Sequence, residues 1–126
     1  MEGATIYAAK CASCHGERGE GKPSYPALIG RDPSAEQFVF GRTPGLTRTI
    51  GNYWPHATTV FDYVRRAMPQ LAPGSLTNDE VYALTAYMLS LNKIVGEDAV
   101  MNAQTLPKVR MPNRDGFIVR FPERMP

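Results

Sequence analysis

Cys11-Ala12-Ser13-Cys14-His15 concentrates the chain's chemistry in five residues. Two thiols two residues apart, followed at once by an imidazole, form the arrangement needed for covalent attachment of a c-type haem. Each cysteine adds across one vinyl group of the porphyrin, so the pair spans the ring edge. The next residue then stands where its imidazole can rise to the iron as proximal ligand. The chain has only two cysteines. Haem attachment uses both, leaving no thiol for a disulfide or a second haem.

Other uses of the two thiols fit less well. A thioredoxin-like dithiol needs a strand before it and a βαβ pattern around it, whereas residues 3–10 read as helix. A structural zinc site needs four ligands, and His56 is the only further imidazole. His15 would also have to fold back beside Cys14 onto the same metal.

A second axial ligand must come from elsewhere. Met1 starts the chain, Met88 occupies an apolar helix position suited to core packing, and Met101, Met111 and Met125 lie in the tail. Met68 ends a helical pattern, precedes Pro69 and leads into the loop before the last helix. From there its thioether could reach over the haem face opposite His15. The alternatives are His56, which gives a low-potential bis-histidine iron, a tail methionine, or an open site suited to gas or peroxide chemistry. Methionine ligation raises the reduction potential and closes the iron to substrate, favouring electron transfer over catalysis.

The elements that must position these groups are helical. A first helix is expected over about 4–11, broken by Gly16, Gly19 and Gly21. A short helix is predicted over 34–40, and Gly41 to Gly45 reads as a turn. A third runs over 58–67, with Val60, Phe61, Val64 and Met68 along one side, and stops at Pro69. The last is predicted from a capping box at Thr77-Asn78-Asp79-Glu80 to about residue 91. Its buried stripe should be Val81, Leu84, Met88 and Leu91.

Bulk properties fit one domain of 126 residues with a single modest core, much of whose apolar volume a haem would supply. No apolar run approaches transmembrane length, and a net charge of +2 is too small to argue for nucleic acid. Residues 1–98 carry 9 basic and 10 acidic side chains, while residues 99–126 carry 5 basic and 2 acidic. The basic end reads either as a solvated tail or as a docking arm. Prolines at 107, 112, 122 and 126 predict an extended arm over 99–126, lying on the globule or on a partner, after a monohaem domain over 1–98. Covalent haem attachment normally takes place outside the cytoplasmic membrane. Periplasmic residence is therefore expected, with this chain as the mature form behind a start residue.

The order Gly3-x-x-x-Tyr7, Cys11-x-x-Cys14-His15-Gly16, Pro26-x-Leu28, Met68-Pro69 and a closing aromatic-rich helix resembles small class I cytochromes c over about residues 3–92. The resemblance implies an all-α class I cytochrome c fold around one covalently bound haem c. It implies that the first and last helices cross through Gly3 and Tyr7 against Tyr87 or Tyr82. It also implies that the Pro26 carbonyl accepts a hydrogen bond from the proximal imidazole, tuning its basicity, and that Leu28 packs on the porphyrin. Arg42, Asn52 and Trp54 are candidate propionate hydrogen-bond donors, or else loop structure and core. Arg65 and Arg66 border the ligand loop, either at a docking edge or on a solvated helix face.

A narrower resemblance lies in the stretches 51–59, 63–69, 72–77 and 111–117. These look like the cytochrome subunit of bacterial sulfane dehydrogenase (Sox systems), and like monohaem cytochromes that accompany molybdenum sulfite dehydrogenases. The implied function is single-electron transfer from a molybdenum-cofactor sulfite- or sulfane-oxidising subunit to a downstream periplasmic cytochrome, with no catalysis by this chain alone. The departure is size, since one attachment site stands where the sulfane-dehydrogenase subunit has two haem domains. That favours a single-haem partner or one excised domain. A generic cytochrome c serving other dehydrogenases, and a haem sensor or enzyme with an exchangeable sixth ligand, are the alternatives.

Overall fold

The computed structural model describes residues 2–30, 49–51, 53–112 and 114–115. Helix α1 spans Glu2–Lys10, with an acid in its first turn and a base in its last, each complementing the helix dipole. The chain kinks at Cys11 and resumes as the single turn α2, Ala12–His15. Gly16 ends it at φ 89°, a left-handed conformation that a side chain would resist. The helix expected over 34–40 and the turn at 41–45 lie outside the described residues.

Helix α3 spans Ala57–Ala67. It stops where the sequence requires, because a proline disfavours helical geometry in the residue before it. Met68 accordingly sits in extended conformation (φ −113°, ψ 150°), and the Met68-Pro69 peptide is cis. Helix α4 spans Asn78–Leu91 and opens on the full capping box. Thr77 Oγ1 accepts from the Glu80 N–H at 3.2 Å, and Glu80 Oε1 accepts from the Thr77 N–H at 2.9 Å. A 3₁₀ helix, Leu106–Lys108, follows with Pro107 inside its first turn. Among the described residues there is no strand, only isolated bridges pairing Lys22 with Tyr25 and His56 with Arg110. None of the described helices is long and apolar enough to cross a membrane.

The core forms where α1 and α3 both pack on α4. Tyr7, Val60, Val81, Leu84, Leu89 and Met111 are each at most 1 % exposed. Of the stripe expected on α4, Val81, Leu84 and Met88 are buried, whereas Leu91 is half-buried and Leu89 is fully enclosed. The departure has a physical cause. Two helices cover α4, so its buried surface is wider than one stripe and takes in Thr85 and Ala86 as well. On α3 Ala57 and Val60 are buried, while Phe61 and Val64 pack half-exposed against the cluster.

The α1–α4 crossing is close because Gly3 lacks a side chain. A Cβ there would overlap the Ala83 carbonyl oxygen and lie 2.8 Å from both the Ala83 carbonyl carbon and Tyr87 Cβ. Tyr7, one turn on, packs against Tyr87 with ring centroids 5.4 Å apart. Tyr82 instead pairs with Phe61 at 4.3 Å.

Among the described residues after α4, the segment around Leu106 and Met111 packs on the globule. Leu106 (3 % exposed) and Met111 (1 %) belong to the core cluster, and the 3₁₀ helix packs on α3. The exposed charges of this stretch include Lys108, Arg114 and an Arg110–Asp115 ion pair at 2.5 Å.

Candidate haem site

Cys11 occupies the break between α1 and α2, so its sulfur follows directly from where α1 docks. It packs against the core cluster. Burial, with the neighbouring Cys14 adding to it, pushes the Cys11 thiol up to about 11. Cys14 lies one turn further, half-buried and unpaired, with the Ser13 hydroxyl 3.9 Å from its sulfur. Neither sulfur is taken up by a disulfide.

His15 closes α2 with Nδ1 held 2.8 Å from the Pro26 carbonyl oxygen. A carbonyl can only accept, so the proton sits on Nδ1 and the lone pair is left on Nε2. Two unpaired thiols and an imidazole with its donor nitrogen fixed by that hydrogen bond form a donor set suited to a covalent haem. The Tyr25 ring stands edge-on to His15, centroids 6.4 Å apart.

The loop that brings Pro26 back over His15 is held by backbone hydrogen bonds. Gly21 N–H donates to the His15 carbonyl at 2.7 Å, and Leu28 N–H to the Gly19 carbonyl at 2.7 Å. Gly21 has φ 86°, and a Cβ there would come within 2.7 Å of the Ala27 nitrogen. Lys22 Nζ ties the loop to the Ser13 carbonyl at 2.8 Å. The Arg18 N–H on the Glu20 carboxylate, at 2.9 Å, holds that acid below its ordinary range. From the core side, the buried Tyr7 hydroxyl donates to the Gly16 carbonyl at 2.8 Å.

The other expected site residues are distributed as follows. Leu28 is half-buried against the core cluster. Trp54, also half-buried, packs edge-on to Tyr63 at 5.7 Å. Met68 is half-buried at the C-terminal end of α3, with its N–H on the Val64 carbonyl at 3.2 Å. His56 is exposed at the opposite end of that helix, about 16 Å away by helix rise. Arg65 donates to Asn78 Oδ1 at 2.9 Å, and Arg66 pairs with Asp62 four residues back. Arg42 and Asn52 lie outside the described residues.

Residues 1–92 match the cytochrome c family. The chain belongs to that family. It has the helical class I cytochrome c fold and carries covalently bound haem c, for which Cys11 and Cys14 form the attachment motif. No curated protein matches the chain. Among solved structures, the sulfane dehydrogenase SoxCD from Paracoccus pantotrophus is similar, with 38 % identity and a TM-score of 0.84. The likeness covers 98 % of this cytochrome and 58 % of the SoxCD chain, so the cytochrome spans little more than half of that neighbour's length.

Sequence reasoning missed Asn92. It caps α4 and is 2 % exposed. Its Nδ2 donates to the carbonyls of Met88 (3.0 Å) and Leu28 (3.2 Å), and its Oδ1 accepts from the Gly30 N–H at 3.1 Å. An asparagine just past a helix is a local capping signal. The partners 62 and 64 residues away leave no trace in the sequence.

Proposed function

We propose that this cytochrome is a periplasmic carrier of single electrons from a molybdenum-cofactor subunit, oxidising sulfite or a protein-bound sulfane, to a downstream cytochrome. The observation that carries the reading is the 38 % identity to sulfane dehydrogenase SoxCD across 98 % of the chain. That span extends beyond the haem domain proper into the stretch after α4, which a resemblance based on the attachment motif alone would not reach.

In this reading Cys11 and Cys14 would anchor the haem, and His15 and Met68 would hold its iron. The bound haem supplies a one-electron iron couple that methionine ligation sets at high potential. His15 presents Nε2 because Pro26 takes the proton-bearing side of the ring, and that hydrogen bond raises the ring's donor strength. Met68 leaves α3 in extended conformation, which releases its side chain from the helix surface. Leu28 supplies an apolar wall, and Trp54, Arg42 and Asn52 serve the propionates. His56 is the weaker candidate ligand because it is exposed at the far end of α3.

Optical spectroscopy tests the carrier reading. The ferric protein should show the methionine-to-iron charge-transfer band, and the ferrous protein should resist carbon monoxide. Met68→Ala should lose the band and bind the gas, while His56→Ala should behave as wild type. Ready gas binding by the wild-type protein would move it to the sensor or haem-enzyme class.

A further inference from the structure

We propose that Asn92 is a positioning residue for the proximal imidazole, acting through the loop that carries Pro26. The inference rests on His15 serving as an axial ligand.

The side-chain amide of Asn92 grips two backbone polar groups of one short stretch, at Leu28 and Gly30. Nδ2 donates to the Leu28 carbonyl and Oδ1 accepts from the Gly30 N–H, at 3.2 and 3.1 Å. The orientation of the amide is fixed by its partners, since a carbonyl must receive a proton and an N–H must give one. The remaining Nδ2 hydrogen goes to Met88, the last turn of α4. Asn92 is therefore a rivet between α4 and the loop, and at 2 % exposure water does not compete for it.

The riveted stretch begins two residues after Pro26. On its other side it is tied to Gly19 by the Leu28 and Ile29 N–H groups, at 2.7 and 3.2 Å. The Leu28 carbonyl also accepts from the Ile50 N–H at 3.2 Å. Pro26 itself has no N–H to anchor it, so the place of its carbonyl over His15 is set by what holds the residues around it. On the Leu28 side, the Asn92 side chain hydrogen-bonds those residues to α4, beside the packing of Leu28 on the core cluster. Loosening it lets the Pro26 carbonyl retreat, weakens the 2.8 Å bond to Nδ1, and lowers the electron donation of the imidazole.

The experiment uses the holoprotein with Asn92→Ala and Asn92→Ser. Serine can still cap α4 by bonding back to Met88 but cannot span to the loop, so it remains informative if the alanine variant fails to fold. Leu106→Ala, under the 3₁₀ helix, serves as a comparison that loses stability away from the loop. Exchange of the His15 Nδ1 proton, followed by NMR in the ferrous state, should accelerate about fivefold or more in the Asn92 variants, the order expected for one lost hydrogen bond. The reduction potential should rise, because a poorer donor stabilises ferric iron less. Leu106→Ala should move neither. Unchanged Nδ1 exchange and potential, with faster exchange only at the Gly30 amide, would overturn the inference and leave Asn92 a structural cap. Absence of His15 ring signals shifted by the porphyrin ring current in the wild-type ferrous protein would overturn the ligand assignment as well, which separates the two failures.

Discussion

The Tyr7 hydroxyl donates to the Gly16 carbonyl at 2.8 Å, joining the α1–α4 crossing to the residue directly after the Cys-x-x-Cys-His motif. One side chain thus serves packing and site geometry together. Its ring fills the space beside Tyr87, and its oxygen fixes the end of α2. Burial pushes the phenol well above its ordinary value, so it stays a neutral donor throughout the physiological range.

Tyr7→Phe keeps the ring and removes the shorter of two hydrogen bonds to the Gly16 carbonyl, which still accepts from the Gly19 N–H at 3.2 Å. The expected cost is about 0.5–1.5 kcal/mol, the net value of one hydrogen bond, read from denaturant unfolding of the holoprotein. A change smaller than about 0.5 kcal/mol, the range of an ordinary surface substitution, would mean that water or a backbone shift replaces the bond.

Gly3→Ala sets two effects against each other. Alanine favours a helix over glycine by about 1 kcal/mol, yet its methyl would overlap the Ala83 carbonyl and crowd Tyr87. Backbone cannot swing aside as a side chain can, so the overlap should win. A net loss of about 1–3 kcal/mol is expected, and a stabilised Gly3→Ala protein would show that the helices can separate cheaply.

The sequence was most legible where the signal is local. The capping box at Thr77 and Glu80 and the stop at Pro69 are written in adjacent residues, and α4 begins and α3 ends as expected. Gly3 and Tyr7 identify one face of the crossing. Whether Tyr87 or Tyr82 faces them depends on how α1 is rotated against α4, and in the fold Tyr87 stands there while Tyr82 meets Phe61. The burial of Leu106 and Met111, and the reach of Asn92 to Leu28 and Gly30, are long-range contacts. In a proline-rich stretch without periodicity, nothing in the sequence marks which apolar residue turns inward.

Leu106 and Met111 make the part of the tail that carries them a structural part of the molecule. Leu106→Ala and Met111→Ala should each cost about 2–5 kcal/mol as buried large-to-small changes. Lys108→Glu, exposed between them, should stay within about 0.5 kcal/mol of wild type. Equal, small effects at all three positions would show the stretch detached in solution.

The capping box gives a pH dependence. The Thr77 N–H holds the Glu80 carboxyl below its ordinary value, so the folded state binds its proton less readily than the unfolded chain. The resulting stabilisation is complete above the unfolded value of about 4.5 and is lost as pH falls through the lower folded value. Glu80→Gln retains an acceptor but does not titrate. The stability difference between wild type and variant should be level above about pH 5.5 and shrink as pH drops below about 4.5. A difference that stays constant down to pH 3 would place the carboxylate outside the cap.

The donor assignment is tested most directly by rapid mixing of the oxidised holoprotein with a molybdenum-containing sulfite or sulfane dehydrogenase subunit and its sulfur substrate. Reduction of one haem equivalent per chain, dependent on both subunit and substrate and faster than reduction by substrate alone, is the expected result. A haem that stays oxidised under those conditions, while a dehydrogenase acting on no sulfur compound reduces it readily, would contradict the account.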